Sequence, residues 1–378
     1  MMIQVPEYIR SLVPYLPGKP IEETQREFRL KRVIKLASNE NPLGPSPKAK
    51  LAIKKAIQSL HRYPDGSGFH LKQALAFHLG VQSSQIILGN GSNEVIDILV
   101  RTYCLPGDAV ITHRGAFQCY KICSQIHGVN TIELEVDQNF QWNVDELLFH
   151  AQTHEDVKII FLANPNNPTG TYFSASVLNQ LTEGLSRIRG GSIILALDYA
   201  YWEYVRAKDL PDPAKALSLY PNTIIFRTFS KIYGLAGLRV GYGVASQEVI
   251  FNMEKVRQPF NVSSVALVGA EASLRDTTFV KKSRLLNATG LKFWEKTLTR
   301  LGIPFWPSQG NFILADVAKA IGRSGPEVFH ECLKKGVIFR PIANYGYPDA
   351  LRISVGTNEE NLIAAKALSG LMPGRKKR

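Results

Sequence analysis

The sequence predicts an α/β fold with a mostly parallel, seven-stranded sheet, because short apolar runs alternate with longer amphipathic segments through most of the chain. Several of the apolar runs consist almost entirely of Ile, Leu, Val and Phe, as strands buried on both faces require. The strands predicted from these runs span residues 86–88, 109–112, 131–136, 158–163, 193–198, 223–227 and 240–244.

Helix-length patterns separate most of these strands, so the sheet should be flanked by helices. A further helix is predicted to begin at Pro47, because Ser46 is a suitable N-cap and proline is favoured at the first helical position. The region before it is rich in proline and charge, and it predicts an arm with one short helix near residues 22–28. The helices predicted between strands span residues 94–104, 117–126, 174–187 and 248–256.

The pattern changes after about residue 262, where a long helix at 277–301 precedes short strands and a final helix. This arrangement predicts a smaller α+β domain at the C-terminus. We therefore expect an N-terminal arm over residues 1–45, a large domain over 46–275 and a small domain over 276–378. The strands of the small domain are predicted at 311–315, 337–340 and 351–355, and its last helix at 359–371.

Composition narrows the classes of protein that this chain can be. The 378 residues carry a formal charge of +13, but Lys and Arg are scattered and no zinc-finger spacing accompanies them, so we expect no nucleic-acid partner. The excess of Lys and Arg is weak support for a small substrate that carries negative charge. Four cysteines without a CxxC pair and no long apolar run indicate a cytoplasmic protein with reduced thiols, no metal site and no membrane contact.

One segment, residues 227–243 (RTFSKIYGLAGLRVGYG), has the composition of a buried loop around a reactive lysine. It keeps apolar side chains, and Gly234 and Gly237 would let its backbone turn back closely. Lys231 in such surroundings would lose proton affinity and become a good nucleophile toward an aldehyde. Ser230 and Arg239 could bind a phosphate beside it.

The lysine segment resembles the lysine motif of the class I/II aminotransferases, which are pyridoxal-phosphate enzymes of fold type I, and the resemblance extends over nearly the whole chain. It implies that Lys231 forms a Schiff base with the cofactor and moves the substrate's α-proton. It also implies that Asp198, at the end of a predicted strand, pairs with the pyridine nitrogen. Asn167, in the segment 164–170 (NPNNPTG), and Tyr201 would contact the ring oxygen. The family usually has Glu after this Asp, where the chain has Tyr199.

The same resemblance assigns the rest of the cofactor site. A helix N-terminus binds phosphate through its free N–H groups, and the segment 89–94 (GNGSNE) lies between a predicted strand and a helix. Tyr63 resembles the tyrosine that reaches the cofactor of a neighbouring subunit, which implies a homodimer. The residues implied to hold the phosphate are Gly91, Ser92, Asn93, Ser230 and Arg239, and Phe117 is implied to stack on the ring.

Three segments narrow the resemblance to the histidinol-phosphate aminotransferases: residues 14–20, 36–45 and 336–352. Arg352 matches the arginine that binds the α-carboxylate of an amino acid, with Asn311 assisting. In that subfamily Arg340 meets the substrate phosphate with help from Tyr15. The resemblance implies ping-pong transamination between L-histidinol phosphate and 2-oxoglutarate, giving imidazole-acetol phosphate and L-glutamate in histidine biosynthesis.

Other functions remain open from the sequence. Related enzymes with the same arm transaminate aromatic amino acids or decarboxylate a phosphorylated amino acid. An NAD-binding dehydrogenase is a poorer match, because Glu94 stands where the third glycine of the fingerprint belongs and Asp108 lies in a turn. A purely binding protein of this fold would commonly lack the lysine or its acidic partner, and the chain has both Lys231 and Asp198.

Overall fold

The computed structural model describes residues 3–14 and 17–373. Its N-terminal part contains short helices and one short strand. The helix predicted to begin at Pro47 is confirmed, and the Ser46 hydroxyl caps it by accepting a hydrogen bond from the Ala49 N–H at 3.1 Å. These elements are α1 (Glu7–Arg10), α2 (Ile21–Phe28), β1 (Ile34–Lys35) and α3 (Pro47–Ala56).

The large sheet contains the seven predicted strands, each displaced by at most two residues at either end. Their order across the sheet is β2-β8-β7-β6-β5-β3-β4. The five strands from β7 to β4 run parallel, whereas β8 is antiparallel to both of its neighbours. The strands are β2 (Ile86–Gly89), β3 (Ala109–His113), β4 (Asn130–Leu134), β5 (Val157–Ala163), β6 (Ile194–Asp198), β7 (Thr223–Thr228) and β8 (Gly241–Val244).

Helices cover both faces of this sheet, and alternate residues of a strand face opposite layers. On β5, Ile160 and Leu162 pack with α7 and α8, while Ile159 and Phe161 pack with α5, α6 and α10. The helices named from the sequence do not include α4, α7, α9 or α11, and the apolar and small residues of α4 and α11 follow no single face. The helices are α4 (Phe69–Leu79), α5 (Ser92–Tyr103), α6 (Cys119–Gln125), α7 (Val144–Thr153), α8 (Ala175–Arg187), α9 (Pro213–Leu219), α10 (Gln247–Val256) and α11 (Ser264–Leu274).

The C-terminal part has its own antiparallel sheet, in the order β12-β13-β10-β9, and the long helix predicted at Thr277–Leu301 is confirmed. Strand β1 pairs in parallel with β11, which joins the N-terminal segment to this part of the chain. Its elements are α12 (Thr277–Leu301), β9 (Phe305–Trp306), β10 (Phe312–Asp316), α13 (Ala318–Ile321), α14 (Gly325–Lys334), β11 (Val337–Ile338), β12 (Arg340–Ile342), β13 (Tyr347–Ser354) and α15 (Asn358–Ser369). The domain boundaries at residues 45 and 275 stay a prediction.

The carboxyl ends of β5, β6 and β7 meet at one edge of the large sheet, which is where open α/β sheets bind ligands. The segment after β7 contains Lys231 and turns back into the antiparallel strand β8. Across residues 3–14 and 17–373, no helix is both long and apolar enough to cross a lipid bilayer.

The lysine segment turns at Gly234, where the backbone leaves no room for a side chain. Gly234 has a φ of +68°, and a Cβ there would lie 2.1 Å from the Gly44 carbonyl oxygen. Gly234→Ala should lower the free energy of unfolding by about 2 kcal/mol or more, because backbone must shift. Gly237→Ala is the matched control, since open space surrounds its Cβ position. Thermal denaturation that finds both variants equally stable would contradict this packing.

Candidate active site

A cavity of about 250 Å³ lies at the carboxyl edge of the large sheet, against the C-terminal sheet and the segment 37–40. It brings together most of the site residues that the sequence predicts. Those lining it are Ser92, Asn93, Phe117, Asn167, Asp198, Tyr201, Ser230, Lys231, Arg239, Arg340 and Arg352.

The other predicted residues lie elsewhere. Gly91 is directly behind the lining, where a Cβ would be 2.5 Å from the Arg239 guanidinium. Asn311 supports the cavity wall by donating a hydrogen bond to the Asn39 carbonyl at 2.9 Å. Tyr63 is 83% exposed and stacks on Phe260, away from the cavity. Tyr15 lies outside the described residues.

Lys231 is placed to act as a neutral amine. Its Nζ donates a hydrogen bond to the Ser38 carbonyl oxygen at 3.1 Å. The pKa of the amine falls from 10.5 to about 8, and burial is the largest cause. The positive charges of Arg352 and Arg239 also lower this pKa, and the charges of Glu40 and Asp198 oppose the fall. At pH 7 about one Lys231 amine in ten is therefore unprotonated, against fewer than about one in a thousand for an exposed lysine.

Asp198 is a buried carboxylate with both oxygens bound. It is the last residue of β6, whose apolar residues ILAL carry it to the sheet edge. One oxygen accepts a hydrogen bond from the Tyr120 hydroxyl at 2.8 Å, and the other accepts one from the Ala200 N–H at 2.9 Å. Burial raises the pKa of Asp198, and these two hydrogen bonds oppose that rise. Such a carboxylate is suited to pairing with a cation.

Hydrogen bonds to the segment 37–39 hold two lining residues, Arg352 and Tyr201. Arg352 donates to the Asn167 side-chain oxygen at 2.5 Å and to the Ala37 carbonyl. Asn39 donates to the Tyr201 hydroxyl at 3.0 Å. Burial raises the pKa of Tyr201 to about 12, so its hydroxyl remains a neutral donor. The segment around Asn39 therefore orients the residues that are expected to contact a cofactor ring oxygen.

The opposite end of the cavity is suited to an anion. Helix α5 begins after Gly91, and no side chain caps its N-terminal N–H groups. Arg239 approaches the same end, where it donates to the Ser230 hydroxyl at 3.4 Å. Gly241 is also required there, because a Cβ would lie 2.4 Å from the Ser92 nitrogen. Uncapped N–H groups beside a guanidinium and a hydroxyl form a suitable phosphate site.

Taken together, these groups fit pyridoxal phosphate. A nucleophilic amine lies at one side of the cavity, an anion site at one end and a buried carboxylate at the sheet edge, with Phe117 on the wall. In the described ranges, no cluster of three or more His, Cys, Asp or Glu side chains could hold a metal ion.

Two arginines at the C-terminal side of the cavity are neighbours in the small sheet. Arg340 on β12 and Arg352 on β13 are directly opposite each other in the antiparallel pair. Both are almost fully buried, at 9% and 6% exposure. Cavities with two adjacent guanidinium groups favour substrates that carry two anionic groups, or different anionic groups in turn.

Two residues of this site were missed by the sequence analysis. Tyr120 was not predicted as a site residue, and its contact with Asp198 joins parts of the chain 78 residues apart. Asn39 lies in the segment 36–45 that carried the subfamily resemblance, yet its bond to Tyr201 was not anticipated. Nothing in the local sequence indicates either partner.

Comparison with known proteins shows the family to which the chain belongs. The family model for aminotransferase class I and II matches residues 31–368. The chain is 45% identical over 370 residues to a histidinol-phosphate aminotransferase of Anaeromyxobacter sp. (strain Fw109-5), covering 97% of this chain and 99% of that one. The structure of the histidinol-phosphate aminotransferase of Sinorhizobium meliloti, in complex with pyridoxal-5'-phosphate, superposes with a TM-score of 0.87 at 27% identity, over 98% of each chain. An aspartate aminotransferase double mutant of Thermus thermophilus shares the fold, with a TM-score of 0.84 at 21% identity over 98% of this chain and 100% of that one.

The low pKa of Lys231 predicts how the stability of the cofactor-free protein depends on pH. The folded state binds the Lys231 proton less tightly than the unfolded state, so this group destabilises the fold below about pH 8. Relative to wild type, Lys231→Met should have a stability advantage that is largest below pH 8. That advantage should shrink by on the order of 3 kcal/mol as the pH approaches 10.5.

Urea denaturation of both proteins between pH 7 and 9.5 measures this difference. The exposed Lys281 provides the matched control, because Lys281→Met removes the same charge from solvent. Its difference from wild type should not follow the same pH dependence. A pH-independent difference for Lys231→Met would mean that the amine is not desolvated.

Proposed function

This chain belongs to the class I and II aminotransferases, and from that premise we propose that it transfers the amino group of L-histidinol phosphate to 2-oxoglutarate. The products are imidazole-acetol phosphate and L-glutamate. The observation that carries the proposal is the pair Arg340 and Arg352, cross-strand neighbours that line one cavity with Lys231. A donor with a phosphate and an acceptor with two carboxylates need more than one cation, and this pair supplies two.

The arginines differ in what they can contribute. Arg352 is fixed by its bonds to Asn167 and Ala37, close to the residues expected around the cofactor ring. It is therefore suited to the α-carboxylate of glutamate. Arg340 lies one strand further out and offers paired donors to a phosphate. A relative that carries the name histidinol-phosphate aminotransferase is 45% identical over almost the whole chain, which supports this assignment.

Pyridoxal phosphate, when bound, supplies an aldehyde for the amino group and a ring that accepts negative charge from the substrate's α-carbon. In this proposal Lys231 would hold its aldehyde and Asp198 would pair with its ring nitrogen. Asn167 and Tyr201 would bind its ring oxygen, and Phe117 would pack against the ring. The residues that would hold its phosphate are Gly91, Ser92, Asn93, Ser230 and Arg239.

The proton moves through one atom of the chain. Once the substrate amine has displaced Lys231, the Nζ of Lys231 is a neutral base inside the cavity, as its pKa of about 8 allows. It would take the proton from the substrate α-carbon, hold it on Nζ and give it up again within the same cavity. Donor and acceptor would use this cavity in turn, with the first product leaving before the acceptor enters, so the kinetics should be ping-pong.

A homodimer in the cytoplasm is part of the same proposal. Tyr63 is 83% exposed, and the apolar side chains of Leu60 and Phe69 near it are more than half exposed. A second copy of the chain would cover this surface and bring Tyr63 to the partner's phosphate site. The free cysteines fit a reducing compartment.

Substitution of Arg340 tests the choice of donor. Arg340→Ala should lower kcat/KM for histidinol phosphate by about 100-fold or more, because a charge-assisted pair of hydrogen bonds to phosphate is lost. With phenylalanine as donor, the rate of the first half-reaction should change less than about threefold. Measuring that half-reaction without 2-oxoglutarate keeps effects on the acceptor out of the comparison.

Arg323→Ala is the control, since it removes one positive charge from an exposed position of the same region. It should leave turnover of both donors unchanged. If Arg340→Ala harms phenylalanine and histidinol phosphate equally, the phosphate role of Arg340 is wrong. If wild type turns over phenylalanine or aspartate far better than histidinol phosphate, the proposed substrate is wrong.

A further inference from the structure

Tyr120 is a fully buried tyrosine whose hydroxyl points at the carboxylate beneath the proposed cofactor site. It donates to Asp198 at 2.8 Å, and no part of its side chain is exposed to solvent. Burial and the nearby charge of Asp198 raise the pKa of Tyr120 well above its ordinary value. The phenol is therefore neutral, and its proton is available to Asp198 throughout the pH range in which a protein of this kind works.

The ring of Tyr120 is held as firmly as its hydroxyl. It stacks on Phe161 of β5 with ring centroids 4.9 Å apart and an interplanar angle of 4°. Its edge meets Phe117 at 5.7 Å and 86°. One side chain thus contacts the aromatic proposed to cover the cofactor ring and the carboxylate proposed to pair with it.

We propose that Tyr120 is a positioning residue for Asp198: its hydroxyl fixes the side-chain conformation of Asp198 and keeps that carboxylate ionised. This inference rests on the proposed role of Asp198. A buried carboxylate tends to take up a proton unless hydrogen bonds favour its charged form. Asp198 has two such bonds, from the Ala200 N–H and from Tyr120, and only the second comes from a side chain.

The other titratable groups around Asp198 do not replace Tyr120. The Lys231 charge favours ionised Asp198, but that amine is neutral in part of the population and is consumed when it binds an aldehyde. Tyr201 bonds to Asn39 instead. Cys119 interacts with Asp198 only through charge, and its thiol contacts Cys123. Of these titratable side chains, Tyr120 is the one that donates a hydrogen bond to the Asp198 carboxylate.

Tyr120→Phe tests the proposal, because it removes one oxygen and retains the stacked ring. The kcat should fall by about tenfold to hundredfold, the range expected for one hydrogen bond to a charged group. The affinity of the cofactor-free protein for pyridoxal phosphate should fall about tenfold. The pH midpoint of the bound cofactor's colour change should rise. A less protonated ring nitrogen withdraws less electron density from the Lys231 nitrogen, which then keeps its proton to higher pH.

Tyr199→Phe is the matched control. Tyr199 is the residue after Asp198, is equally buried, and donates its hydroxyl to the Pro211 carbonyl instead. The two Phe variants should have similar melting temperatures, but Tyr199→Phe should leave cofactor affinity and the colour midpoint within about twofold and a few tenths of a pH unit of wild type. If both variants give the same cofactor affinity, colour midpoint and kcat, the positioning role is refuted.

Asp198→Asn separates this inference from the proposed function. Asp198→Asn alone should abolish most turnover, and adding Tyr120→Phe to it should cause little further loss, because the ionised acceptor is already gone. If Asp198→Asn retains full turnover, the proposed function of the site fails and the inference fails with it. A severe Asp198→Asn effect together with a harmless Tyr120→Phe leaves the proposed function standing and overturns only the role of Tyr120.

Discussion

The proposed chemistry of this site depends on one lysine amine that releases its proton more readily than an exposed lysine, because it is buried among cations. The cavity that contains Lys231 is also lined by Arg239, Arg340 and Arg352. Burial and the charges of two of these arginines lower the pKa of the amine to about 8. In the proposed function the same arginines bind anionic groups, so the residues that would bind phosphates and carboxylates also favour the neutral, nucleophilic form of the amine.

The scaffold meets this constraint by gathering short segments at one sheet edge. Asp198 ends β6, and the lysine segment begins where β7 ends, so neighbouring parallel strands deliver a carboxylate and an amine to one cavity. The antiparallel strand β8 leads the chain back past α5, which places Arg239 beside the helix N-terminus. From the C-terminal side, β12 and β13 add the paired arginines. No single segment contains the site.

The sequence predicted the fold well where burial leaves a local pattern. Both-face burial makes the strands of the large sheet nearly continuous in apolar residues, and α12 shows a long amphipathic repeat, so both were found. Helix α11 was not, because its residues SVALVGAEASL are small or apolar on every side. The strand register that places Arg340 opposite Arg352 was also not predicted, because it depends on the pairing of β12 with β13.

The candidate site shows the same division. Lys231 and Asp198 follow apolar strands and carry motifs of their own, which made them predictable as a pair. The contacts that orient them come from distant segments: Ser38 accepts from Lys231 across 193 residues, and Tyr120 reaches Asp198 across 78. Those bonds form only because folding brings distant segments together, so no local sequence pattern predicts them.

Borohydride reduction of the purified holoenzyme, followed by peptide mass mapping, tests the central claim most directly. A covalently attached pyridoxyl phosphate group should be found on Lys231 alone among the lysines of the chain. Recovery of the label on a different lysine, or an intact unlabelled peptide containing residues 227–239 from a protein that transaminates at full rate, would contradict the account.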